Sequence, residues 1–273
     1  MTILQERYEL IQVLAEGGEN LVYLAKDKHT QEQVILKRTK SGIVPEAREK
    51  WKQQVKLLQQ LDLTTVATVY DSFIHVSEMV SYGYVVQQYI RGENLEQEYQ
   101  RKRYNNREVI EIVREVLAIV CELQELSPPI LHRDIKPSNI IRNHTNQKLI
   151  LLDFGLATEQ QNKEFGHTIG VGTLGYQAPE QLLGQPTLAT DVYSVGVLAL
   201  QLLTRREPKD LLWGHHLKWE SSAQFLHEDW KQWLSNVLAP TEERFPDAHT
   251  ALKALLKPSF AQKNRTQKTE PTP

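Results

Sequence analysis

Residues 131–155 read LHRDIKPSNIIRNHTNQKLILLDFG, and this stretch decides how the rest of the chain is read. Its two short apolar runs, Ile140-Ile141 and Leu149–Leu152, flank a polar turn, the pattern of two antiparallel strands. Such pairing brings Asn139, just before the first run, and Asp153, just after the second, to the same end. Hard cations such as Mg2+ take oxygen ligands from carboxylate, amide and phosphate, and these two side chains offer the first two kinds. Asp134 lies in the same loop, where a carboxylate can accept the proton of an attacking hydroxyl. Taken singly, each residue has an ordinary structural reading: an Asp before a turn caps it, and a loop Asn bonds its own backbone. The conjunction points to metal-assisted group transfer.

The full set, His132-Arg133-Asp134, Lys136, Asn139 and then Asp153-Phe154-Gly155, resembles the signature of the protein kinases. The placement of Lys136 is similar to that of Ser/Thr rather than Tyr kinases. The resemblance implies that Asp134 is the catalytic base, that Lys136 neutralises the transferred phosphate, and that Asn139 and Asp153 hold Mg2+, with Mn2+ as the alternative metal. It continues downstream. Residues 172–180, GTLGYQAPE, resemble the substrate-docking end of the activation segment, and residues 191–196, DVYSVG, the start of the family's central buried helix. Arg244 then fits the partner of Glu180 in a structural ion pair. Upstream, Lys37 in VILK takes the place of the phosphate-binding strand lysine. Residues 84–92, YVVQQYIRG, resemble the strand and hinge that hold adenine, with Gln87 as gatekeeper and the Gln88 carbonyl and Ile90 amide facing the adenine edge. Leu14, Gly17, Gly18, Val22, Ile35 and Ile141 complete the implied ATP-binding set. Leu58, Val69, His132 and Phe154 would stack as a regulatory spine. Arg133 marks kinases controlled by activation-segment phosphorylation; Thr168 is the implied acceptor ahead of Thr158, and Thr173 is expected to contact Asp134 and Lys136.

Three departures from the family pattern all lie in the first third of the chain. LAEGGENLVYLA sets Ala15, Gly17 and Asn20 where three glycines are usual. A glycine loop lets backbone amides approach phosphate closely, and added side chains crowd that approach. Gln54, not an acid, stands where the partner of Lys37 is expected, which leaves a neutral bond about half as strong as a charged one. Ile35 replaces a usual alanine and, by strand alternation, shares a face with Lys37.

Around these motifs, runs at Tyr8–Leu14, Leu21–Lys26, Gln33–Arg38, Val66–Ile74 and Gly83–Ile90 read as strands. Trp51, Val55 and Leu58 give a helical stripe, and so do Val109 through Leu123, stopped by Pro128-Pro129. Asp191–Thr204 and Trp230–Leu238 are further helices. The fold class is therefore α+β, and the resemblance makes it a bilobal kinase fold. Residues 1–257 form one domain, with a small antiparallel-sheet lobe of one main helix to about residue 90 and a larger helical lobe beyond it. Residues 258–273, rich in Lys, Thr, Gln and Pro, read as a disordered tail.

The bulk numbers agree. The chain has 273 residues, a formal charge of −2 and 40% hydrophobic residues, enough for a large core and without the basic field of a nucleic-acid binder. The single cysteine, Cys121, cannot form an internal disulfide and reads as a small buried side chain. Neither a signal peptide nor an apolar run of about 18 residues is present, so a cytoplasmic protein with no membrane partner is expected. The resemblance implies ATP as the cofactor and a protein substrate bearing Ser or Thr. Two other readings stay open on sequence alone. One is a pseudokinase scaffold, motivated by the degenerate glycine loop, Gln54 and Ile35. The other is a kinase of small molecules, which the match at Gly172–Glu180 disfavours.

Overall fold

The structure of the chain, a computed structural model, describes residues 2–17, 20–77, 79–159, 172–214 and 216–256. The chain divides into two compact units, Met1–Gly92 and a second that begins at Glu93.

The first unit is a six-stranded antiparallel sheet with one long helix. Its strands are β1 (Ile3–Leu4), β2 (Tyr8–Gly17), β3 (Asn20–Asp27), β4 (Gln33–Thr39), β5 (Val69–Ser77) and β6 (Val80–Gln88), in the order β1-β2-β3-β4-β6-β5. Strand alternation sorts their side chains. Tyr8, Ala25, Val34, Leu36, Tyr84 and Val86 cluster on one face, where the rings of Tyr8, Phe73 and Tyr84 stack at 5.8 and 5.0 Å. A side chain the size of Leu36, fully buried there, contributes roughly 2 kcal/mol. Beside the cluster, Arg7 grips Asp27 with two bonds of 2.9 and 2.7 Å, and that contact draws the Asp27 carboxyl down to about 2.

The opposite face carries α1 (Arg48–Gln59), whose Val55 and Leu58 are buried. Its Trp51 sits against Gly83 of β6: a Cβ at that glycine would lie 2.6 Å from the indole. The glycine is thus an interior strand position rather than a strand start. β6 begins earlier, at Val80, because Met79 turns the hairpin at φ 68°. β5 likewise begins at Val69 rather than Val66, with a bulge between Val69 and Asp71; Val66 and Ala67 are buried in the preceding turn.

In sequence the second unit opens on β7 (Gly92–Asn94) and α2 (Leu95–Arg101), started by an Asn94/Gln97 capping box. α3 (Asn106–Gln124) has the same device in Asn105 and Glu108, and its stripe Val109, Ile112, Val113, Val116, Leu117, Val120 and Leu123 is buried. Cys121 lies at the border of that stripe and is partly exposed, not buried as expected, although desolvation still pushes its thiol up to about 11. After β8 (Ile130–Leu131) come β9 (Ile140–Asn143) and β10 (Leu149–Leu151), an antiparallel pair with Leu151 opposite Ile140. β11 (Thr158–Glu159) pairs back on β8, which places Thr158 opposite Leu131. The short α4 (Pro179–Leu182) precedes α5 (Leu188–Thr204), which is buried on every side from Ala189 to Leu202. A helix apolar all round is the centre of its unit. Its N-terminus is closed by a Thr187/Thr190 capping box. α6 (Glu228–Val237) and α7 (Ala248–Leu255) complete the unit, joined by the Trp233 indole N–H donating to the Ala251 carbonyl at 3.2 Å. No helix among the described residues is long and apolar enough to cross a membrane.

Candidate active site

The loop between β8 and β9 is built on a buried carboxylate. Asp191, in the first turn of α5, is fully buried and accepts the amides of His132 and Arg133, one on each oxygen, both at 2.8 Å. Burial pushes its carboxyl upward, against the pull of His132 and of those two amides. His132 uses both ring nitrogens. Nδ1 accepts from the Asp134 amide at 3.2 Å, and Nε2 donates to the Leu152 carbonyl at 2.9 Å. Its ring meets Phe154 edge-on, with centroids 4.6 Å apart. Arg133 takes φ 68°, a left-handed conformation that a long side chain adopts only when its surroundings hold it there.

That kink presents Asp134. Its Oδ2 accepts from Lys136 Nζ at 2.8 Å and from Asn139 Nδ2 at 2.9 Å; its Oδ1 accepts from the Thr173 hydroxyl at 2.7 Å. Lys136 Nζ also lies 2.5 Å from Thr173 Oγ1, so the hydroxyl accepts from the lysine while donating to the aspartate. Bonds to a charged group contribute about 1.5–3 kcal/mol each. The carboxylate is therefore fixed in one rotamer, with only 11% of its side chain exposed.

Asn139 closes a 3-10 turn at Pro137–Asn139, and its carbonyl accepts from the Leu152 amide at 2.8 Å, one step beyond the β9–β10 ladder. Asp153, the next residue, is left-handed at φ 63°, ψ 68°. Asn139 and Asp153 thus leave the same end of the hairpin. The Asn139 amide nitrogen is committed to the carbonyl and carboxylate of Asp134, which turns its oxygen the other way. Among the described residues no three His, Cys, Asp or Glu side chains form a metal cage. An amide oxygen and a carboxylate at one hairpin end fit a hard cation whose other ligands come from phosphate and water.

Further along, Gly172 and Gly175 take φ +111° and +91°. Glu180 and Arg244 form a buried pair at 2.6 Å, and Thr190 and Thr241 each donate to Glu180 at 2.9 Å. Arg244 also bonds the carbonyls of Ala189 and Ala239 and lies over the Tyr193 ring. Burial alone would raise the Glu180 carboxyl; the bonds and charge of Arg244, with a backbone bond and the Thr190 hydroxyl, together hold it below the ordinary value.

In the first unit, strand register sets which residues share a face. Lys37 pairs with Val22 on one side and Val85 on the other; Ile35 pairs with Leu24 and Gln87. Directly paired residues share a face. Val22, Ile35, Lys37 and Gln87 therefore line the face that also carries α1 and Gln54, away from the Val34/Leu36 cluster. Leu14 falls in the bulge between Val13 and Ala15. Asn20 is paired with Gly17 as a strand residue, not held in a left-handed turn. Gln88 donates its amide to the Thr68 carbonyl at 2.9 Å, and Ile90 is buried. Ile141 is half-buried on β9 opposite Ile150. Gly18, Thr168 and the segment 258–273 lie outside the described residues. Sequence reasoning missed the capping carboxylate of Asp191 and the amide of Gln181, which donates to the Arg133 carbonyl at 2.8 Å. Their partners are 58 and 48 residues away, and no local spacing signals them.

A sheet unit with one long helix, followed by a helical unit whose central loop fixes an aspartate with a lysine and an asparagine, defines the class of protein kinase folds. The family model described as protein kinase domain matches residues 8–266, and the chain belongs to that family. Among its relatives, serine/threonine-protein kinase B of Synechocystis is 31% identical over 229 residues, 76% of this chain and 38% of the relative. Serine/threonine-protein kinase PknA of Nostoc is 28% identical, covering 93% of this chain and 47% of its own. Serine/threonine-protein kinase PrkC of Bacillus subtilis is 28% identical over 75% and 31%. The chain thus spans less than half the length of these curated relatives.

Proposed function

We propose that this chain transfers the γ-phosphoryl group of ATP to Ser or Thr hydroxyls of proteins. The observation that carries the reading is the Asp134 carboxylate, oriented by Lys136, Asn139 and Thr173. Asp134 takes the proton of the acceptor hydroxyl as its oxygen bonds to the γ-phosphorus; the bond to the β–γ bridging oxygen breaks and ADP leaves. Lys136 neutralises charge on the transferred group, and Lys37 holds phosphate from the sheet face it shares with Val22, Ile35 and Gln87. Adenine is held by the strand and hinge through the Gln88 carbonyl and Ile90 amide, and Leu14, Gly17, Gly18 and Ile141 belong to the ATP-binding set that the family resemblance implies. Asn139 and Asp153 hold the divalent cation, Mg2+ with Mn2+ as the alternative, which when bound screens the negative charge of the phosphates. Phosphoryl transfer depends mostly on such positioning and charge stabilisation.

The pseudokinase reading is set aside: the base, both lysines and the oxygen pair are all present, and the relatives' printed names are those of kinases. The same proposal takes residues 1–257 as the catalytic domain, 258–273 as a tail, the cytoplasm as its setting, and Thr168 as an acceptor whose phosphate would pair with Arg133. Incubation of the purified chain with labelled ATP, Mg2+ and a general protein substrate tests it. Transfer to Ser or Thr is expected. A rate no higher than that of Asp134→Ala, with either metal, overturns it.

A further inference from the structure

Arg133 is held on both sides of its Cα, through the peptide groups that precede and follow it. Its amide donates to Asp191 of α5, and its carbonyl accepts from the side chain of Gln181 in α4, at 2.8 Å each. Gln181 is fully buried and lies one residue after Glu180, where the segment 172–180 ends. Gly172, where that segment enters the described structure, crosses directly over the bond. A Cβ there would come within 2.8 Å of Gln181 Nε2 and 3.1 Å of the Arg133 carbonyl oxygen, and its φ of +111° already excludes most side chains. Three stretches of chain thus meet at the Arg133–Asp134 peptide group, immediately after the left-handed kink at Arg133.

We propose that Gln181 is a positioning residue: by holding the Arg133 carbonyl it sets the rotation of the Arg133–Asp134 peptide, and so makes the aim of the Asp134 carboxylate depend on the seating of the segment that begins at Gly172. Loss of the donor frees the carbonyl end of a strained unit. The Asp134 amide then drifts from His132 Nδ1, and the carboxylate from Lys136 and Thr173. The kinetic part of this inference rests on the kinase reading; the structural part does not.

Gln181→Met keeps the side-chain volume and removes the donor. Gln124→Met is the matched control, because Gln124 also ties backbone in the second unit, donating to Leu188 and accepting from Ala248, away from the loop. For Gln181→Met, kcat is expected to fall about tenfold, since small misplacements of reacting groups carry large rate losses, with the KM values for ATP and protein substrate within about twofold. Gln124→Met is expected to lower Tm comparably and leave kcat unchanged. Without nucleotide, hydrogen exchange at the Arg133 and Asp134 amides should quicken about tenfold in Gln181→Met while the α3 amides stay as in the parent. Unchanged exchange at those two amides, or a kcat loss no larger than in the control, overturns the proposal. If Gln181→Met does not fold, Gln181→Glu, whose carboxylate would face the Arg133 carbonyl, is read by the same two measurements. A parent protein with no phosphoryl transfer sinks the kinase reading, and the exchange result then decides the positioning role by itself.

Discussion

The two units place their chemistry by different means. In the second unit Asp134 sits in a loop with no ladder to support it, and side-chain bonds from Lys136, Asn139 and Thr173, together with the buried base of Asp191, hold it. In the first unit Lys37 sits inside a strand, β4. Its facing is fixed by strand register, with Val22 and Val85 as its paired neighbours. Residues held by register tolerate drift in the side chains around them; residues held by a polar network do not. The three departures from the family pattern, at the glycine loop, Gln54 and Ile35, all fall in the register-built unit.

The largest predicted effect tests the network side of this contrast. Arg244→Ala leaves the Glu180 carboxylate buried without its charge partner and is expected to cost about 3–5 kcal/mol, read by urea unfolding. A loss under ~1 kcal/mol would mean that the network is not what holds the second unit. Next in size, Lys37→Met keeps the strand and removes a charge. A fall in kcat/KM of about 100-fold, equivalent to ~3 kcal/mol, is expected with Tm within a degree or two, and a large Tm loss would show that Lys37 is structural after all.

Acid sensitivity supplies a third test. The Glu180 carboxyl is held below its ordinary value of 4.5, burial opposing and Arg244, a backbone bond and Thr190 together prevailing. A depressed carboxyl contributes stability that is present above the unfolded value and lost as pH falls through the folded one. Stability of the parent should therefore drop more steeply below pH 4.5 than that of Glu180→Gln, and coincident acid limbs would contradict the assignment. The smallest effect is a gain. Gln54→Glu, on the helix that covers the Lys37 face, restores an acid and should raise kcat/KM about threefold, a change that vanishes in the Lys37→Met background.

This contrast also explains what could be read from residues alone. Alternation in VILK set Ile35 and Lys37 on one face, and the short runs around residues 140 and 150 put Asn139 and Asp153 at one hairpin end. Both are local periodicities. The capping boxes of α2 and α3 are equally local. Asp191 and Gln181 were not legible as supports, because a side chain that bonds a peptide some 50 residues away leaves no mark in the spacing. The strand starts at Val69 and Val80 were displaced because tertiary packing, not composition, decides where a ladder begins.

The indole of Trp51 rests where β6 has no side chain at residue 83. The sheet contributes its half of that joint by leaving atoms out. A single methyl group added there would lever α1 outward, and Gln54, one turn along the same helix, would travel with it. A variant with no ligand within reach would thereby detune the face that Lys37 shares with α1, through the thickness of one carbon atom.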